Sequence, residues 1–415
     1  MKTAFCKNCQ SHTAVVSDFG SNSNHMDYFC KECDTELSYN FKFCILAAGK
    51  GTRNRDIAGL HKALLPLENR AIISHIIDKL DKRVEIVIAL GYKSDQIKSY
   101  LDYVYDDRTI TYVDVDNYDE QGSGPGYSLL CCKDELQTPF IFTSVDTIVD
   151  EDVAFNYISE NWLGVSNVSI EESMNYCLVR GSKYLDQLYY GTGTRAYVGM
   201  AGIYDYGDFW NSLKHPSDVH TEYQVVHGFD KLENIRLIDF TWHDTGNNKA
   251  YYDTKKVFSK EVVANKSDEA IFIEKDKVVK YFNNPNRARV RVDRAKYLNG
   301  NVPKVELIND NMYCYDFVQG KLLSEVLDES VLNKFLDFCQ SKLWKETRES
   351  PDFLNDCKFM YEDKTKERLS KLMDTKLDKV TKINGIEVKP IKDLLDKNLP
   401  IKSFMMKKRK NVNKI

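Results

Sequence analysis

Leu46-Ala47-Ala48-Gly49-Lys50-Gly51-Thr52-Arg53 combines glycines and basic residues in a pattern suited to holding phosphate. Gly49 and Gly51 let the backbone approach a ligand closely and turn its N–H groups toward phosphate oxygens. Lys50 and Arg53 add positive charge, and a guanidinium such as that of Arg53 can grip two oxygens at once. The spacing is neither the GxxxxGK[ST] of a P-loop nor the GxGxxG of a dinucleotide fold. A second constellation lies at the amino end. Cys6-x-x-Cys9 and Cys30-x-x-Cys33, with twenty residues between the pairs, fit a four-thiolate Zn²⁺ ribbon. Neither pair sits in the βαβ context of a redox motif, so the expected site is closed and structural.

The elements around the glycine loop indicate what positions it. Phe41–Leu46 reads as a short buried strand running straight into the loop, and a helix carrying Ile72, Ile73, Ile76, Ile77 and Leu80 on one face follows. Val84–Leu90 is a second strand, with Ser94 as the expected N-cap of a helix through Tyr103. Ile110–Val115 is a third strand, Gly126–Leu136 a helix, and Pro139–Ser144 a fourth strand. Strands alternating with helices predict an α/β, Rossmann-like, doubly wound sheet, which binds ligands at the carboxyl ends of its strands. Four zones are expected: a zinc-ribbon-like module over 1–40, the α/β domain over 41–258, an α+β domain over 265–400 and a basic tail over 401–415.

The loop is followed closely by His61-Lys62-Ala63-Leu64-Leu65-Pro66-Leu67. LAAGKGTR with HKALLPL resembles the signature LAAGxGxR…PKxLxP of the sugar-1-phosphate nucleotidyltransferase superfamily. The resemblance implies that Lys62 contacts the phosphates at the reacting centre and that Arg53 lies near the pyrophosphate leaving group. His61 stands where the family has Pro, a departure expected to affect the turn more than the chemistry. Such chemistry is mostly positioning and charge neutralisation and calls for Mg²⁺, which takes one or two carboxylates. Asp146, ending PFIFTSVD, and Asp244, in WHDTGN, match the family's two metal-binding aspartates. By the same resemblance, the turn Gln121–Leu129 holds the nucleobase through Gly122 and Ser123. Gly199, Gly202 and Glu222 fall where acceptor contacts lie, by order along the chain alone.

The carboxyl third opens with hairpin-like Ala270–Phe282 and a strand at Asn311–Gly320, then Lys- and Leu-rich helices from Lys321. This order resembles the nucleotide-holding lobe of the aminoglycoside phosphotransferase and choline kinase-like family, with Lys280 on its second strand. Such kinases need an HGD-x₄-N loop, and no His follows His243, so a truncated, inactive lobe is expected. Lys407-Lys408-Arg409-Lys410 begins a tail expected to be disordered.

Bulk properties limit the function classes. The chain has 415 residues, 42% hydrophobic and 29% charged, with a formal net charge of −4, so nucleic acid has no global field to bind. No signal-peptide h-region and no membrane-length apolar run occur, and cytoplasm is the expected compartment. Cys131, Cys132 and the cysteines outside the paired set are expected to pack as small apolar residues. The sequence therefore reads as a Mg²⁺-dependent nucleotidyltransferase joining an NTP to a phosphorylated small acceptor, a sugar 1-phosphate first. Phosphocholine or a phosphonate is the alternative acceptor, and a catalytically silent nucleotide-binding subunit the alternative class. A homo-oligomer is compatible with either.

Overall fold

A computed structural model describes residues 3–6, 9, 11–19, 26–33, 41–51, 59–151, 158–213, 223–258, 268–298, 300–344, 352–383 and 385–395. Three antiparallel strands, β1 (Thr3–Cys6), β2 (Ser11–Phe19) and β3 (Met26–Cys30), precede the α/β region. That region holds β4 (Lys42–Ala47), α1 (Ile72–Ile77), β5 (Ile86–Leu90), α2 (Ser94–Val104), β6 (Ile110–Asp114), α3 (Pro125–Cys131) and β7 (Phe140–Ser144). It continues with β8 (Thr147–Val149), β9 (Trp162–Asn167), β10 (Leu178–Arg180), β11 (Gln187–Tyr189), β12 (Arg195–Ile203) and α4 (Tyr206–Ser212). β13 (Arg236–Asp239), β14 (Trp242–Asp244) and α5 (Asn248–Phe258) close it.

The central sheet has the order β11-β10-β12-β7-β4-β5-β6, with β9 pairing β12 and β13 off this path. β4 runs parallel to β5 and β7, and β5 parallel to β6, while β12 is antiparallel to β7. The fold class is thus the expected mixed α/β sheet. Alternation along β4 explains why its whole run is apolar: Phe43, Ile45 and Ala47 enter one core, and Cys44, Leu46 and Ala48 the other. A strand buried on both faces has no polar side to show.

Three local expectations are corrected. Ser94 is the first residue of α2 and not its cap. Lys93, in the left-handed region at φ 51°, takes the capping position without a side-chain hydrogen bond. The helix expected through Leu136 ends at Cys131, and a separate 3₁₀ turn spans Lys133–Leu136. Cys132 is buried as expected, whereas Cys131 is half-buried beside Tyr127.

Beyond the α/β region, β15 (Glu269–Glu274), β16 (Lys277–Phe282), α6 (Pro285–Tyr297), β17 (Glu306–Asn309) and β18 (Met312–Asp316) form an antiparallel sheet of order β15-β16-β18-β17. In space this sheet lies with residues 41–258 in one compact unit, Met1–Gly320. Glu274, almost fully buried, is the anchor. Its carboxylate accepts from Arg70 Nε at 3.0 Å, Tyr100 Oη at 2.8 Å and Ala71 N at 3.3 Å. Ile273 N–H donates to Asn69 O at 2.6 Å, which extends the seam.

Lys321–Ile415 form the second unit, with short helices at Leu323–Val326, Glu329–Phe338, Phe353–Lys358, Lys364–Ser370 and Ile391–Leu395. Among its described residues, Cys339 and Ile391 are the buried apolar side chains. No helix among the described residues is long and apolar enough to cross a membrane.

Removing the Glu274 carboxylate takes the partner from the buried Ala71 N–H and one of two partners from the Tyr100 hydroxyl, while Arg70 keeps Asp78; a buried donor left unsatisfied costs about 1–3 kcal/mol. Glu274→Ala is therefore expected to lower unfolding free energy by about that amount in urea denaturation of the full chain, with the m-value unchanged.

Candidate active site

The glycine loop leaves β4 at the carboxyl edge of the sheet, and the Lys62 stem lies against it. Gly51 has φ +60°, and a Cβ there would stand 3.1 Å from Lys62 Cδ. Glycine is needed on both counts. Lys62 opens a 3₁₀ turn, Lys62–Leu64, capped by His61. His61 Nδ1 accepts the Ala63 N–H at 3.1 Å, which leaves the proton on Nε2 to donate to Gly49 O at 3.1 Å. His61 N–H donates to Gln96 Oε1 at 3.1 Å, and Gln96 Nε2 donates to Gly59 O at 2.8 Å. Burial, then the neighbouring Lys62 charge, pushes the His61 pKa down to about 3. The residue that departs from the family pattern is thus a neutral strut between the two loops, a role beyond the local turn effect expected of it.

Asp146 lies two residues past the end of β7. The chain then turns into β8, which pairs antiparallel with β14, placing Thr147 opposite Asp244. Thr245 closes the corner, its N–H and Oγ1 both donating to Asp146 O, at 3.0 and 3.1 Å. The two carboxylates bracket Gly246: a Cβ there would stand 3.0 Å from Asp244 Oδ1 and 3.2 Å from Asp146 Oδ2. Lys62 Nζ donates to that same Asp146 Oδ2 at 2.8 Å, with the two side chains 18% and 20% exposed. Lys62, Asp146 and Asp244 therefore meet beside the glycine loop.

Other candidates fall on this frame unevenly. Lys50 pairs with Asp119 across the loop mouth, and that contact raises its pKa. Gly122 and Ser123 lie in a turn pinned by backbone bonds, Tyr223 N to Ser123 O at 2.7 Å and Gly126 N to Tyr223 O at 2.8 Å. Gly199, at φ +83°, faces Ser144 and Thr147 on either side of Asp146. Gly202 does not reach the site, since the Trp162 indole fills the space where its side chain would be. Arg53 and Glu222 lie outside the described residues. Lys280 sits in β16, paired across the strands with Ile271 and Tyr313.

One participant went unread in the sequence. Tyr176 Oη donates to Asp244 Oδ2 at 3.0 Å, while Gly246 N–H donates to Oδ1 at 2.8 Å. Its ring meets Trp242 edge-on at 5.0 Å. A lone Tyr between a 3₁₀ turn and β10 carries no local signal for this role. The appended sheet also abuts the site: a side chain on Gly59 would collide with Tyr281 and Asn283.

At the amino end, the Sγ atoms of Cys9, Cys30 and Cys33 all lie within 4.8 Å of one another, with Cys9 and Cys30 at 3.7 Å. Cys6 ends β1, opposite Ser11, and its side chain lies outside the described residues.

Residues 43–168 match the family profile of the MobA-like NTP transferase domain, a stretch that contains the glycine loop, Lys62 and Asp146. The bifunctional protein GlmU of Methanococcus maripaludis strain S2 is 34% identical over 133 residues, 31% of this chain and 30% of GlmU. GlmU of Methanocaldococcus jannaschii is 30% identical over 111 residues, 26% of each chain. The chain thus spans less than a third of the length of these relatives. Among solved structures, CTP:phosphocholine cytidylyltransferase (LicC) of Streptococcus pneumoniae aligns with TM-score 0.47 and 17% identity, over 54% of this chain and 100% of that one. A UDP-glucose pyrophosphorylase of Acinetobacter baumannii aligns with TM-score 0.45 and 13% identity, over 54% and 95%.

The depressed His61 pKa has a stability consequence. In the unfolded chain this imidazole takes a proton near its ordinary value of 6.5, whereas in the folded protein it resists until about 3. Acidification through that window favours unfolding, with a limiting slope of about 1.4 kcal/mol per pH unit. Urea denaturation at about pH 7, about 6 and about 5 is expected to show the wild type losing stability relative to His61→Gln along that slope.

Proposed function

We propose that this protein transfers a nucleotidyl group from an NTP to the phosphate of a small phosphorylated acceptor, with a sugar 1-phosphate favoured, and releases pyrophosphate. The observation that carries the reading is the meeting of Lys62, Asp146 and Asp244 beside the loop that follows β4. The match of residues 43–168 to an NTP transferase domain supports it.

The donor set suits magnesium: two carboxylates, hard oxygen ligands from separate strands, converge on a glycine that offers no side chain to fill the space between them. When bound, the ion supplies charge neutralisation at the phosphates. Lys62 turns its ammonium to the same phosphates, and Gly49 and Gly51 present backbone N–H groups. The resemblance of its motif assigns Arg53 to the leaving pyrophosphate, and Gly122 and Ser123 to the base. Gly199 leaves room for the acceptor on the far side of Asp146, with Glu222 as a further contact. An acceptor phosphate oxygen attacks the α-phosphorus in line; that P–O bond forms as the bond to the β-phosphate breaks. The nucleophile is already ionised, so no side chain need take a proton. Tyr176 and the Gly246 N–H fix the Asp244 carboxylate in the orientation this requires.

The test is pyrophosphate release with each NTP against a panel of sugar 1-phosphates, phosphocholine and phosphonates. Release with one acceptor class supports the reading and names the acceptor. Nucleotide binding without release from any acceptor would favour the silent subunit. Lys62→Ala and Asp146→Asn are each expected to lower kcat/KM by about 10²-fold or more.

For the amino-terminal module we propose a structural Zn²⁺ held by Cys6, Cys9, Cys30 and Cys33, supported by the three clustered thiols and the CxxC spacing. Colorimetric zinc release from purified protein is expected to give about one equivalent per chain, lost in Cys30→Ser. No zinc in protein purified without chelator would overturn it.

A further inference from the structure

We propose that Lys62 gates the divalent-cation site, so that the metal binds together with the nucleoside triphosphate and only weakly alone. This rests on the reading of the site above and adds an order of events to it.

One oxygen is shared by two partners. Asp146 Oδ2 accepts from Lys62 Nζ at 2.8 Å, and it is the same oxygen that approaches Gly246 opposite Asp244 Oδ1. A cation shared by the two carboxylates must therefore take Oδ2 while an ammonium is already on it. Both side chains are about four-fifths buried, so solvent screens the repulsion poorly. The ammonium has little room to withdraw by itself. Its stem lies against Gly51, and its backbone is held between His61 and the 3₁₀ turn. On the other side of Gly246, the Tyr176 hydroxyl and the Gly246 N–H hold Asp244 in place. Lys62 is thus an element that a lone cation must displace. A triphosphate can displace it, because its oxygens offer Nζ a new partner and bring negative charge that offsets both cations. Freed from Lys62, Oδ2 then turns to the metal. Linkage is reciprocal, so the nucleotide binds more tightly with the metal as well.

Mn²⁺ binding to the full chain without nucleotide, read by electron paramagnetic resonance of the free ion, tests this. Asp146→Asn defines the background, including any uptake by the cysteine module. Lys62→Met is expected to bind Mn²⁺ about tenfold more tightly than wild type, and Lys62→Arg, which keeps the charge, as weakly as wild type. Should Lys62→Met lose its cooperative thermal transition, Lys62→Gln reads the same quantity. Equal affinity in wild type and the neutral variant, both above the Asp146→Asn background, would overturn the gate and leave the metal site standing. A neutral variant that binds no better than Asp146→Asn would overturn the gate and the assignment of Asp146 to the metal together.

Discussion

The contact between Lys62 and Asp146 is the constraint on which the rest of the site depends. Two opposite charges that are mostly shielded from water hold together only when each has the other, and their backbones must be fixed to keep them so. Lys62 stands in a 3₁₀ turn after the first sheet strand, and Asp146 at the end of a strand parallel to it. Pairing β4 directly with β7 brings those two chain segments to one edge. The short β8–β14 ribbon then carries Asp244 to the same place. A parallel sheet collects distant residues at its carboxyl edge, because every strand there ends on the same side.

Around that contact, side-chain hydrogen bonds tie the neighbouring loops together. His61 is almost wholly buried, yet both ring nitrogens are used, one toward its own turn and one toward the glycine loop. Burial and the neighbouring Lys62 charge keep this imidazole neutral, and the neutral ring, with one nitrogen donating and the other accepting, is the form that suits both of its partners. Gln96 extends the chain of bonds to Gly59, and Gly59 is packed by Tyr281 and Asn283 of the appended sheet. Glu274 ties that same sheet to Arg70 and Tyr100. The appended sheet thus also braces the loop carrying Lys62. Its hairpin and one further strand were legible, but its attachment was not, since a buried glutamate in a strand has no sequence signature.

Much of the site could be read from local pattern. The glycine loop, Lys62, Asp146 and Asp244 each sit in a short motif, and the apolar run of β4 announced a strand covered on both faces. The base-side turn was legible as a turn, and backbone bonds to Tyr223 explain its glycine density through the fold itself. Gly202 was misplaced because order along the chain cannot separate a glycine beside a ligand from one beside a tryptophan. Ser94 was misplaced by one position, since the helix starts at Ser94 itself and local residue type does not fix a helix end to the residue.

By itself, the sequence determined the alternation of strands and helices, the chemistry offered by the loop, and the identity of the charged groups, because these are properties of residue type and spacing. Tertiary structure alone decided which oxygen of Asp146 meets Lys62, that Tyr176 holds Asp244, that His61 bridges two loops, and that residues 269–316 join the α/β unit. Those outcomes depend on distances between segments far apart in the chain, and strand pairing and side-chain burial fix such distances only once the whole sheet has formed.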